Sequence, residues 1–131
     1  MLLYLAAPMH PDSDEVSDFM ERNARVAKKL EKAGFQVYLP QRDSNQDRTP
    51  KRIFEANIAA IKKADCVVVM LADTWGIFLE AGYGRALGKT VIAIKEENTR
   101  PLGSIVRNFF DYIVDSTDEL AVLLKGLGHD R

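Results

Sequence analysis

The sequence predicts an α/β domain of the flavodoxin-like, doubly wound kind, a five-stranded parallel sheet with helices on its faces. Three observations carry that expectation. Short apolar runs alternate with longer segments of helical periodicity along the whole chain. Its 131 residues suit a single domain, residues 1–131, long enough to bury a core. A hydrophobic content of 47% and a charged content of 28% are ordinary for a globular protein.

Leu2 to Ala7 reads as the first strand, apolar enough to be buried on both faces and ended by Pro8. From about Asp12 to Ala33, the residues Val16, Phe19, Met20, Ala24, Ala27 and Leu30 recur at helical spacing, and Gly34 supplies a C-cap. Phe35 to Leu39 is the second strand, followed by a polar loop from Pro40 to Arg48. Thr49-Pro50 is a helix start, a capping hydroxyl followed by proline in the first turn. Ile53, Phe54, Ala56, Ile58 and Ile61 are expected on the buried side of that helix, which ends near Ala64. Cys66 to Leu71 forms strand three. A helix containing Glu80 follows and is closed by Gly88. Thr90 to Ile94 and Tyr112 to Val114 complete the strands. Ser116 and Glu119 form a capping box for a last helix, expected to end before Gly126 and leave a frayed tail.

The totals exclude several functions. A net charge of −1 gives no general attraction to nucleic acid polymers or acidic membranes. The single cysteine, Cys66, lies in an apolar run and reads as a buried small hydrophobe, which suits a reducing cytosol. The first residues lack a basic segment followed by a long apolar stretch, and no run approaches membrane-spanning length, so a cytoplasmic location is expected. There is no Walker-type phosphate loop and no Cys/His cluster with metal-ligand spacing, so neither a cofactor nor a metal is expected. A nucleophile elbow for Ser-His-Asp catalysis is also missing.

Carboxylate chemistry remains. Glu80 is a single charge within the uncharged run from Trp75 to Gly84. An unpaired buried charge costs several kcal/mol, on the order of the ion-pair penalties measured in cores, so it calls for a partner or a task. Gly76 and Gly84 lie one turn to either side on a helix and would leave room for a flat ring. The plain alternative is a core glutamate paired with Arg85 or a distant lysine. Asp73, seven residues ahead, is a second carboxylate candidate, whereas Asp65 reads as a structural turn residue. Gln41, Asp43 and their polar neighbours could present hydrogen-bonding groups to a base, or could simply be solvated. His10 lies in the first loop, where it could touch a ligand or remain a surface histidine. Trp75 could stack on a base or serve in the core or an interface.

Taken together these residues resemble the nucleoside 2-deoxyribosyltransferase family and its relatives, the nucleotide N-hydrolases. The resemblance runs through Leu3-Tyr4-Leu5-Ala6-Ala7-Pro8, Phe35 to Asp43, and Ile53 to Val69. Its most specific part is Gly76-x-x-x-Glu80-x-Gly82-Tyr83 leading to Ala86-Leu87-Gly88-Lys89. The resemblance implies that Glu80 is the nucleophile in cleavage of an N-glycosidic bond, with Tyr4 held near it. It also implies that Asp73 or Asn57 contacts the sugar or the departing base and that Gln41 and Asp43 lie in the base-side loop; with Gly76 of the glutamate motif, His10 and Asn108, these are the candidate substrate-binding residues. It implies a homodimer or higher oligomer in which Asn108 reaches the partner's pocket. The chain departs from the family's usual aspartate at Asn57 and carries Thr74-Trp75-Gly76-Ile77 where Asp-x-Gly-Thr is common. The expected reaction is transfer of the sugar to another base. Hydrolysis of a nucleoside 5′-monophosphate is one alternative, and a non-catalytic nucleoside- or nucleotide-binding module is another.

Overall fold

The computed structural model describes residues 1–8, 16–95 and 101–129. Five strands form one sheet, β1 (Leu2–Ala6), β2 (Gln36–Tyr38), β3 (Cys66–Met70), β4 (Thr90–Ile94) and β5 (Tyr112–Val114). All pairings are parallel, in the order β2-β1-β3-β4-β5. The helices are α1 (Val16–Lys32), α2 (Pro40–Asp43), α3 (Pro50–Lys63), α4 (Trp75–Ala86) and α5 (Thr117–His129). A short 3₁₀ turn covers Val106–Phe109.

Side chains alternate across the sheet because successive residues of a strand point to opposite faces. Leu3, Leu5, Val68, Met70, Ile92 and Ile94 pack on the side that also holds Val26, Ala27 and Leu30 of α1 and Leu120 and Leu124 of α5. Tyr4, Ala6, Val67, Val69, Val91 and Ala93 pack on the other side, with Ala60 and Ile61 of α3 and Ile77 and Ala81 of α4. The period of two therefore delivers Tyr4 to the α4 face. Strand order reverses between β1 and β3, the place where such sheets leave a crevice at their carboxyl ends.

Several local expectations hold. The Thr49 side chain accepts a hydrogen bond from the Arg52 N–H, with Pro50 in the first turn of α3. Gly34 and Gly88 take positive φ values of 102° and 76° after α1 and α4, a conformation open to glycine without a Cβ clash. Asp65 accepts a hydrogen bond from the Leu2 N–H at 2.8 Å and ties the end of α3 to β1.

Others are corrected. Pro40 to Asp43 is a helical turn, held because the Asp43 side chain accepts from the Leu39 N–H at 2.8 Å. The buried stripe of α1 runs through Asn23, Val26, Ala27 and Leu30, and Ala24 is exposed. Asn23 is drawn inward because its amide donates to the Pro8 carbonyl and to Gln41. Phe54 is 61% exposed, since α3 turns Ala60 and Ile61 to the sheet instead. Helix α5 continues past Gly126 to His129, its Leu124 buried and Leu127 packed at the edge of the core. Its start is capped by Ser116, and the Glu119 side chain accepts from the Asp115 N–H.

Candidate active site

Helix α4 decides what the site can be. Ile77, Ala81 and Gly84, spaced four and three residues apart, form the stripe that lies on the sheet. One step round the helix, Gly76, Glu80 and Tyr83 form a second stripe that faces an open cleft. The approach of α4 to β3 depends on Gly84, where a Cβ would sit 2.7 Å from the Val67 side chain. Gly84 thus permits close packing and leaves no room for a ring. Gly76 does leave room, since a Cβ there would meet nothing within 4 Å.

The cleft has a volume of about 770 Å³ and is bounded by α3 on one side and α4 on the other. Phe54, Ile58, Ile77 and Leu79 make it largely apolar, while Asn57, Thr74, Glu80 and Tyr83 supply polar groups. Its floor holds the central pair. The Tyr4 hydroxyl, on a side chain with no solvent exposure, donates a short hydrogen bond to Glu80 Oε2. Burial of the Glu80 carboxylate pushes its pKa up to about 7, and the hydrogen bond from Tyr4 offsets part of that rise. Burial, then the neighbouring Glu80 charge, raises Tyr4 far above the usual phenol range, so Tyr4 remains a donor. Tyr4 pairs in register with Tyr38 across β1 and β2, and their rings stack with centroids 5.7 Å apart. The Tyr38 hydroxyl lies 2.6 Å from Ser44 Oγ, which donates to Asn57 Oδ1 at 2.6 Å.

The structure gathers some of the expected residues and separates others. Glu80, Gly76 and Asn57 line the cleft, and Tyr4 lies beneath it. Asp73 lies on the other side of α4, at the edge of a second, smaller cavity with Phe78, Leu102 and Phe110. Gln41 is engaged with α1, donating to the Met20 carbonyl at 2.9 Å and accepting from Asn23. Burial pushes the Asp43 carboxyl up, but hydrogen bonds from Arg42 and the Leu39 N–H more than offset this and hold it below its ordinary value. Asp43 is thereby occupied in holding α2. Asn108 is exposed and donates to the Ser104 carbonyl at 2.6 Å, within its own turn. His10 lies outside the described residues. Trp75 is 89% exposed at the start of α4, so it is no part of the core.

Ser44, Tyr38 and Tyr83 were not expected at the site. Tyr38 could have been found from its place in a strand beside Tyr4. Nothing local marks Ser44, whose role depends on α3 coming within hydrogen-bond reach of the residue that ends α2. No group of three or more His, Cys, Asp or Glu is placed to hold a metal, and no helix is long and apolar enough to cross a membrane, among the described residues.

Comparison with known proteins gives a consistent picture. Residues 3–121 match the family described as nucleoside 2-deoxyribosyltransferase. A protein of Thermofilum pendens with the provisional name 2′-deoxynucleoside 5′-phosphate N-hydrolase 1 is 27% identical over 114 residues, 82% of this chain and 77% of the relative. A 2-deoxyribosyltransferase from Bacillus psychrosaccharolyticus superposes with a TM-score of 0.71 at 18% identity, covering 92% of this chain and 90% of that one. A Clostridium botulinum CMP N-glycosidase superposes at 0.65 with 20% identity, covering 95% and 99%. A conserved protein from Enterococcus faecalis reaches 0.80 at 18% identity, covering 96% and 98%. At these identities the superpositions speak for the fold, and the sequence match speaks for the family.

Proposed function

The chain belongs to the nucleoside 2-deoxyribosyltransferase family, and from that premise we propose that Glu80 is the nucleophile in cleavage of a nucleoside N-glycosidic bond. The observation that carries this reading is the Tyr4–Glu80 pair at the floor of an apolar cleft. In its ionised form Glu80 attacks the anomeric carbon. The carbon–nitrogen bond breaks with its electron pair on the base, which takes up a proton from water, and an ester links the sugar to Glu80. A second base, or water, then attacks the same carbon, loses its proton to solvent and frees the carboxylate. Two displacements through oxocarbenium-like transition states replace one difficult step. A carboxyl that titrates near pH 7 is ionised in a substantial fraction at neutral pH, and burial leaves it poorly solvated and reactive. Phe54 and Tyr83 offer faces for a base.

Sugar transfer to a second base is the primary reading. Hydrolysis of a 5′-monophosphate is the second, favoured by the name of the Thermofilum pendens relative. Asn57 lines the cleft from α3, which supports a contact with the substrate, and Thr74 contributes a buried hydroxyl without a hydrogen-bond partner among the described residues. Asp73, Gln41 and Asp43 would act only at the margins, given their positions. The test is incubation with deoxynucleosides, ribonucleosides and their 5′-monophosphates, with free base measured by chromatography. Base release is expected from wild type and not from Glu80→Ala. Release that persists in Glu80→Ala would contradict the assignment. Adding a second base separates the two readings, since a new nucleoside means transfer and free sugar alone means hydrolysis.

A further inference from the structure

We infer that Tyr38 and Ser44 fix the Asn57 side chain so that its amide N–H group, not its carbonyl, faces the cleft and reads a hydrogen-bond acceptor on the substrate. The inference rests on the cleft being the substrate site. Ser44 is only 4% exposed, so its hydroxyl must find its partners within the protein. It has two within reach, Tyr38 Oη and Asn57 Oδ1, each at 2.6 Å. A serine hydroxyl carries one proton. A phenol is the better donor of the two hydroxyls, so the direction is set at Tyr38: Tyr38 donates to Ser44, and Ser44 donates to Asn57 Oδ1. The Asn57 carbonyl is thereby occupied. Its Nδ2 makes no hydrogen bond among the described residues, although Asn57 lines the cleft.

A carboxylate at this position would present an acceptor and select a donor on its ligand. The ordered amide presents only donors, so the complementary ligand atom is a base carbonyl, a ring nitrogen or a phosphate oxygen. Tyr38 also links the two halves of the site. Its ring stacks on Tyr4, which holds Glu80, while its hydroxyl begins the chain that orders Asn57. Ser44 and Tyr38 are positioning residues, and Asn57 is the group that touches substrate.

Dissociation constants measured by calorimetry for free bases, deoxynucleosides and deoxynucleoside 5′-monophosphates test this without requiring turnover. The variants are Ser44→Ala, Ser44→Thr, Tyr38→Phe and Asn57→Asp, each checked for folding by circular dichroism. Ser44→Ala and Tyr38→Phe should each weaken binding about fivefold, the scale of one lost ordering hydrogen bond. Ser44→Thr, which keeps the donor, should restore binding. Asn57→Asp should weaken binding about tenfold or more by setting a carboxylate against an acceptor. An equal loss for nucleosides and monophosphates places the acceptor in the nucleoside, and a loss confined to monophosphates places it on the phosphate. If Ser44→Ala does not fold, Tyr38→Phe carries the measurement, because it keeps the ring stack. Unchanged binding in folded Ser44→Ala or Tyr38→Phe, tighter binding by Asn57→Asp, or no binding of the panel by wild type would overturn the inference. Binding that follows this pattern without base release would leave it standing and remove the reaction. Glu80-dependent base release with unchanged binding in these variants would do the reverse.

Discussion

A carboxylate held beneath an apolar cleft by one phenol has two titratable consequences. Burial raises the Glu80 pKa to about 7 and the Tyr4 hydrogen bond restrains the rise. If ionised Glu80 is the nucleophile, kcat/KM should increase as pH rises through about 7 and level off above it. Tyr4→Phe removes the restraining bond, so the midpoint should move to higher pH, which loss of packing alone would not cause. Stability should follow the same group with the opposite sign. A carboxyl whose folded pKa lies above its ordinary 4.5 favours the folded state below that value, and the advantage fades as pH rises to about 7. Urea melts should therefore show Glu80→Gln gaining on wild type by roughly 2–3 kcal/mol between pH 4 and pH 8, since each tenfold change in a proton-binding constant is worth about 1.4 kcal/mol. Equal pH dependence in the two proteins would mean that Glu80 is solvated. Glu80 was legible in the sequence because one charge interrupts an apolar run. The Tyr38–Ser44–Asn57 chain was not, because its members come from three elements that meet only in the folded protein.

The strands and most helix ends follow from local chemistry, which is why the sequence predicts them well. Thr49-Pro50 and Ser116 mark helix starts through their own side chains, and Gly34 and Gly88 end helices through their φ angles. The failures lie where tertiary contacts decide. Asp73 and Glu80 are seven residues apart, a spacing that shares a face within a helix, but Asp73 precedes the first residue of α4. Helical periodicity does not reach it, and the two carboxylates end on opposite sides of α4. The glycines of α4 also differ in what they do. Gly84→Ala would press a Cβ against Val67, a fully buried β-branched side chain in the middle of β3 that has no free space to yield. Overpacking of this kind costs about 1–3 kcal/mol, more than the helix gain of about 1 kcal/mol from replacing glycine. Gly82→Ala meets nothing within 4 Å and should keep that gain. Chemical denaturation of the two variants should show Gly84→Ala less stable than wild type and Gly82→Ala at least as stable. The reverse order would mean that α4 does not rest on β3 through Gly84.

On the scale of the molecule, the sheet order and the cleft at its reversal agree with the predicted doubly wound fold, while the exposed surface raises the question of assembly. Trp75 and Leu79 occupy successive turns of α4, 89% and 74% exposed, and Leu79 and the exposed Phe54 both line the cleft. Large apolar side chains grouped at a rim are the composition of an interface. We propose a homodimer, with the partner covering this rim or the turn that carries Asn108, and light scattering at micromolar concentration should give a mass at least twice that of one chain. A monomer that is fully active would remove the shared site. Glu80 lies at the floor of the cleft, and the proposed reaction requires that the sugar become attached to it. Intact-protein mass spectrometry after rapid acid quench of a reaction with a deoxynucleoside or its 5′-monophosphate tests it directly. A sugar adduct is expected on wild type, mapping to the peptide that carries Glu80 and missing from Glu80→Gln. Base release by wild type with no adduct under conditions where the second displacement is slowed, or an adduct that persists in Glu80→Gln, would contradict it.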